Sequence, residues 1–347
     1  MFSSNTAHGA SGPVYSVAVA HEVSPFVTAY PWTVAGFGAK FSNPGTLPTG
    51  AGNGVAFTPS GNAVAVAHNT TPFITAYPWS ASGFGTKFAN PAVLALGNGN
   101  GVAFSPSGDA VVLANADLTF TSSTATAYAW SGSGFGTKFA NPAVAPSALV
   151  TRSVAFTSAG STVAFAGTGS PFVTAYPWSG SGFGTKFADP ATLPAGNAFG
   201  VAFSPNGAAI AVTTGNSPSV TAYPWSGSGF GSKFADPTTL PPGDGRSVAF
   251  TPSGAAVAVA HTTSPFVSVY PWSGSGFGAK FADPASLPSG AGQAVAFSPD
   301  GAAIILGNGG GVPVTAYPWS GSGFGTRFAS PATLPPSVGL GVAFSIV

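Results

Sequence analysis

Seven tryptophans divide this chain almost evenly. They stand at Trp32, Trp79, Trp130, Trp178, Trp225, Trp272 and Trp319, so successive intervals are 47, 51, 48, 47, 47 and 47 residues. A fixed period of this length is the mark of a solenoid or a propeller, in which each repeat is one supersecondary unit. The text between tryptophans repeats as well. Read from Gly200, one unit is GVAFSPNGAAIAVTTGNSPSVTAYPWSGSGFGSKFADPTTLPPGDG, and its neighbours differ at few positions.

Each unit carries four strand signals and no helical periodicity. GVAF, strand a, is closed by a Pro-Ser-Gly type turn. An apolar run such as AVAVAH, Ala63–His68, is strand b. FVTAYPW is strand c, where alternation places Phe26, Thr28, Tyr30 and Trp32 on one face. GFGTKF, after a WSGSG linker, is strand d, and an NPATLP or DPATLP segment crosses to the next unit. Short strands at even spacing with Gly/Pro turns predict an all-β fold, and four per unit predict a propeller blade.

The two ends decide between solenoid and propeller. The first strand signal, VYSVAVAH at Val14–His21, is a strand b with no strand a before it, and Gly341–Val347 is a strand a with no strand b after it. Paired, they complete one blade and leave no open edge. The expectation is a seven-bladed β-propeller of four antiparallel strands per blade. Residues 1–13 form an N-terminal arm and 14–347 the propeller. Blade 1 is 341–347 with 14–43, and blades 2–7 start near 54, 101, 153, 200, 247 and 294.

Composition bounds function more than fold. Only 5% of residues are charged and the net charge is +1, against about 25% charged in typical domains. No basic field exists to draw in nucleic acid by counterion release. Apolar residues at 44% are ample for a core despite 49 Gly and 33 Pro. There is no cysteine, hence no disulfide or thiolate metal site. The segment MFSSNTAHGASGP reads as no secretory signal, and no apolar run is long enough for a membrane-spanning helix.

The segments VAFTPSG (Val55–Gly61), VAFSPSG (Val102–Gly108), VAFSPNG (Val201–Gly207), VAFTPSG (Val248–Gly254) and VAFSPDG (Val295–Gly301), each followed by an apolar strand and an aromatic-ended strand, resemble WD40-like propeller repeats. The Gly-His and Trp-Asp pairs of true WD40 repeats are missing. The near-identity of the repeats resembles propellers encoded by bacteria and their phages. That resemblance implies an interaction module placed in a virion or at an extracellular surface, with protein partners in a larger assembly.

Candidate functional residues fall into three groups. Lys40, Lys87, Lys138, Lys186, Lys233, Lys280 and Arg327 hold one position on strand d and predict a basic rim. This either protects an exposed edge from pairing or meets an acidic partner. Asn43, Asn90 and Asn141, or Asp189, Asp236 and Asp283, follow three residues later. His21, His68 and His261 share a position at the end of strand b, read as solvated loop residues rather than metal ligands. The same position carries Asn115, Gly167, Thr214 and Asn308 in other blades. Arg152 and Arg246 each precede a strand-a SVAF where the axis opens, a place for a ligand anion, although Asp244 can pair with Arg246. The b–c and d–a loops vary most, including the inserted segment with Asp117 and Phe120. These loops open on one face, and loops on a rigid scaffold are where binding usually resides. That face, with His21, His68, Asp117, Phe120, Arg152, Arg246 and His261, is the candidate contact surface.

Eight acidic residues serve the whole chain. No carboxylate pair recurs on strand a, as a propeller glycosidase would need. No GxSxG, HExxH or phosphate-loop motif occurs, and no cofactor motif. The expectation is therefore a non-enzymatic scaffold, for example a tail, fibre or capsid-decoration protein. A lectin-like glycan binder using the repeated aromatics is the alternative, and a hydrolase a third reading.

Overall fold

In the computed structural model, which describes residues 15–116, 124–146 and 150–345, the chain forms seven four-stranded antiparallel sheets. Strands a of blades 2 to 7 are Gly52–Phe57, Gly99–Phe104, Val150–Phe156, Ala198–Phe203, Gly245–Phe250 and Gly292–Phe297. Blade 1 is closed by both ends of the chain: strand a, Gly339–Phe344, pairs with strand b, Tyr15–His21, which pairs with strand c, Val27–Thr33, and strand d, Gly36–Phe37. The predicted arm at 1–13 lies outside the described residues.

The closing blade rebuilds without a peptide link the bonds that finish each a–b hairpin. In blade 2, the Thr58 N–H donates to the Ala63 carbonyl at 2.9 Å, and the Ala63 N–H donates to Thr58 Oγ1 at 3.0 Å. In blade 1, the Ser345 N–H donates to the Ser16 carbonyl at 2.8 Å and the Ser16 N–H donates to Ser345 Oγ at 2.8 Å.

Alternation explains how blades stack. In strand b of blade 2, Val64 and Val66 point one way, with Tyr77 and Trp79 of strand c, and pack on Ala18, Ala20, Val27 and Ala29 of blade 1. Ala63, Ala65 and Ala67 point the other way and receive Val111, Leu113, Tyr128 and Trp130 of blade 3. Every blade thus lays a bulky face on its neighbour's small face, the interdigitation that dense cores require.

The aromatics lock this stack. Trp79 meets Phe84 of its own strand d, Phe57 of its own strand a and Phe41 of the preceding blade, with centroids 4.9, 5.2 and 5.2 Å away, all edge-to-face. The same triad surrounds Trp32, with Phe37, Phe344 and Phe328, so the seventh blade is clamped to the first. Edge-to-face pairs contribute about 0.5–1.5 kcal/mol each beyond area burial. Six tyrosine hydroxyls latch blades further, as when Tyr30 donates to the Thr333 carbonyl and Tyr77 to the Thr46 carbonyl, both at 2.8 Å. Six tryptophans are buried and Trp272 nearly so. These rings are core and not surface platforms for sugars, the use that a lectin-like reading of the repeated aromatics requires.

Two local expectations change. Phe26 precedes strand c with a φ of 69°, so only Thr28, Tyr30 and Trp32 share the strand face. Strand d is two residues long in six blades and five in blade 3, Gly134–Lys138. The reason is on strand c. Blade 3 has Ala129 where the others have Pro31, Pro78, Pro177, Pro224, Pro271 and Pro318. Pairing of Tyr128 with Lys138 needs an N–H from residue 129, which proline does not have.

Candidate active site at the axial mouth

Each strand a carries a β-bulge near the start of its pairing with strand b. The register jumps between Gly52 and Gly54, Gly99 and Gly101, Thr151 and Ser153, Ala198 and Gly200, Gly245 and Ser247, and Gly292 and Ala294. In blade 1, His21 pairs with Gly339 and Ala20 with Gly341. The skipped residues are Asn53, Asn100, Arg152, Phe199, Arg246, Gln293 and Leu340, and all seven line one opening on the propeller axis. Bulges re-aim side chains and are frequent beside active sites. Below this ring the opening narrows into a cavity of about 160 Å³ between the strands a.

The throat is narrow because the strands a touch. A Cβ on Gly54 would stand 3.0 Å from the Asn100 carbonyl oxygen and 3.1 Å from Gly101 Cα. Glycine here lets neighbouring backbones approach around the axis.

Three consecutive blades concentrate the charge. Arg152, Phe199 and Arg246 belong to blades 4, 5 and 6. The Arg246 guanidinium lies 4.4 Å from the Phe199 ring centroid and that of Arg152 lies 5.9 Å from it. Two cations thus share one aromatic ring, an arrangement favoured by the ring quadrupole and opposed by their mutual repulsion. Burial first, and the Arg246 charge second, pull the Arg152 guanidinium below its ordinary value. Among the described residues no carboxylate pairs with Arg152.

Arg246 Nη2 donates to Asp244 Oδ2 at 3.1 Å, as the sequence suggested. Its buried Nε has no acceptor among the described residues. The Asp244 backbone is fixed by Thr262, whose Oγ1 accepts from the Asp244 N–H at 3.0 Å. Phe199 rests on Gly215, where a Cβ would come within 3.0 Å of the ring and 3.9 Å of the Asp244 carboxyl carbon. Asn53 and Asn100 bridge blades around the mouth, donating to the Gly99 carbonyl at 2.8 Å and the Thr151 carbonyl at 2.9 Å.

Of the residues singled out in the sequence, Arg152 and Arg246 come together here. Asp117 and Phe120 lie outside the described residues. The histidines do not join them. His21, His68 and His261 are fully buried, against the expectation of solvated loop residues. The Nδ1–H of His21 donates to the Val23 carbonyl at 2.7 Å, and that of His261 to the Thr263 carbonyl at 2.8 Å. His68 and His261 use Nε2 with Thr75 Oγ1 at 2.9 Å and Ser268 Oγ at 3.0 Å. Burial pushes all three imidazoles down to about 4. His21 and His261 cap the b–c loop, as Thr214 does in blade 5 by donating to the Asn216 carbonyl at 2.8 Å.

The rim basics are on strand d or just beyond it and are occupied locally. Lys40, Lys87 and Lys233 reach Asn43, Asn90 and Asp236 at 2.5 Å, and Lys138, Lys186 and Lys280 pair with Asn141, Asp189 and Asp283. The stems lie down on the blade: the Lys186 and Lys280 side chains are only 15% and 13% exposed. Arg327 is exposed, with Nη1 3.5 Å from the Leu287 carbonyl.

Phe199 and the four uncharged ring members were not anticipated. The signal was present: the residue before the G/S/A-VAF text reads Asn, Asn, Arg, Phe, Arg, Gln, Leu around the chain, while its neighbours hardly change.

No protein-family model and no curated sequence matches this chain. Solved structures do. A candidate 6-phosphogluconolactonase from Bacteroides fragilis superposes with a TM-score of 0.77 at 10% identity, covering 97% of this chain and 99% of its own. Another from Bacteroides uniformis gives 0.75 at 12%, covering 96% and 100%. The periplasmic gluconolactonase of Pseudomonas aeruginosa gives 0.72 at 15%, covering 96% and 99%. The likeness is one of fold. It stands against the expectation of a non-enzymatic virion scaffold: these propellers of the same fold are named as lactonases and come from bacteria.

Proposed function

We propose that this chain is a hydrolase of small cyclic esters, sugar lactones, with its active site at the axial mouth. One observation carries the reading: seven bulges aim the most variable position of strand a into one opening, and two of the residues there are arginines flanking an aromatic ring. The names of the propellers it resembles in fold support the reaction class.

The chemistry required is modest. Water adds to the lactone carbonyl carbon and the C=O electron pair moves onto oxygen. Collapse of that adduct breaks the ring C–O bond, and the proton lost by water ends on the ring oxygen. Fixed donors aimed at the developing oxyanion lower this barrier. Arg152, unpaired among the described residues, and the guanidinium of Arg246, both lining the opening, are such donors. Asp244, bonded to Arg246, is the base that takes the proton from water and returns it to the leaving oxygen. Other acids are engaged elsewhere: Asp109 and Asp300 in a–b turns, Asp189, Asp236 and Asp283 on the rim. Phe199 supplies an apolar floor.

The test is hydrolysis of a panel of γ- and δ-sugar lactones, followed as acid release. Turnover by the wild type, and its loss by at least about 100-fold in Arg152→Gln and Arg246→Gln, as for removal of an oxyanion donor, is expected. No turnover of any lactone overturns the reading.

A further inference from the structure

The mouth carries a definite charge. Arg152 and Arg246 contribute two positive charges and Asp244, bonded to Arg246, one negative charge. The balance available to a ligand is a single positive charge. We infer that the site is matched to one negative charge, that of the reacting acyl group, and that the substrate is an unphosphorylated sugar lactone yielding a monocarboxylate. This rests on the reading of the mouth as a lactone-hydrolysing site and chooses between the two kinds of lactone that reading leaves open.

A phosphate monoester carries close to two negative charges at neutral pH. Placed between the two arginines it would leave the mouth net negative and set its oxygens beside the Asp244 carboxylate. Like-charge contacts of that kind are a strong source of discrimination. Asn53 and Asn100 each spend an amide hydrogen on a neighbouring carbonyl, which fixes the amide orientation and offers the side-chain oxygen as an acceptor. Such oxygens accept from sugar hydroxyls. Leu340 and Phe199 add apolar surface, and among the described residues no third cation lines the opening.

The experiment is calorimetric binding of the two product acids, gluconate and 6-phosphogluconate, to the full chain, alongside kcat/KM for the two lactones. The wild type should bind gluconate more tightly by about tenfold, a difference of about 1.4 kcal/mol, and should hydrolyse the unphosphorylated lactone with the higher kcat/KM. Asp244→Asn removes the negative charge and should shift relative affinity toward 6-phosphogluconate by about tenfold, whatever it does to turnover. Equal or tighter binding of 6-phosphogluconate by the wild type, or a higher kcat/KM for its lactone, overturns the inference while leaving lactone hydrolysis standing. Binding of neither acid with hydrolysis of neither lactone brings down both.

Discussion

The rim and the mouth of this propeller are built by the same repeat and obey opposite rules. On the rim and between blades every blade repeats its neighbour: a basic residue near the end of strand d, and three phenylalanines around one tryptophan. At the mouth the one bulged position of strand a gives five different residue types in seven blades. Packing between identical blades demands identical parts, so repetition marks structure. A ligand on the axis meets seven side chains of five kinds, and only one arc, Arg152–Phe199–Arg246, carries net charge. In a repeat protein the position where the repeat fails is where function is to be sought.

That contrast can be broken by substitution. Trp225→Ala empties the clamp formed with Phe187, Phe203 and Phe230. Loss of a buried tryptophan costs about 3–5 kcal/mol, read as a lowered denaturant midpoint. Phe199→Leu, which installs at the mouth the residue of blade 1, should shift that midpoint by less than about 1 kcal/mol. Equal destabilisation by the two would erase the distinction.

The histidines make the interior pH-sensitive. Their folded values near 4 lie below the ordinary 6.5, so the unfolded chain binds more protons between these values. Stability is complete above about pH 6.5 and falls as pH drops toward 4, by up to about 3 kcal/mol per histidine. Thermal melts across this window should flatten when His21, His68 and His261 become Asn, the residue of blades 3 and 7. An unchanged slope would show that other groups carry it.

Smaller effects belong to the edges. Ala129→Pro should shorten strand d of blade 3 to the length in its neighbours and cost less than about 2 kcal/mol, because it converts one edge ladder into the form six blades already tolerate. A crystal structure of the variant, showing whether Tyr128 still pairs with Lys138, would report it. Lys186→Gln removes a rim ion pair and should cost less than about 1 kcal/mol, vanishing in high salt.

Much of this was legible in the sequence. Blade number and the pairing of the chain's ends followed from the tryptophan interval and the orphan strands. The truncation of strand d was implicit in Tyr-Pro-Trp against Tyr-Ala-Trp, since proline removes a donor. The bulges were not legible as such, because a one-residue register shift leaves apolar alternation intact on either side of it. Without the bulge, Arg152 and Arg246 could be placed near the axis but Phe199 could not be placed between them. The histidines misled for a different reason. A polar residue at a strand end beside a variable loop reads as solvated, and only the loop folding back over it buries the ring. Non-enzymatic function was argued from missing motifs, yet a lactone needs no activated serine or metal motif, only donors for an oxyanion and one base.

The central claim is that function resides in the bulged ring. It is tested most directly by replacing Arg152 with Gln, Phe199 with Leu and Arg246 with Gln together, using residues that blades 7 and 1 already hold at this position. Melting temperature and lactone turnover are then measured on the same preparation. The account predicts a melting temperature within about 4 °C of wild type and turnover lost. Wild-type turnover in the folded triple variant would contradict it.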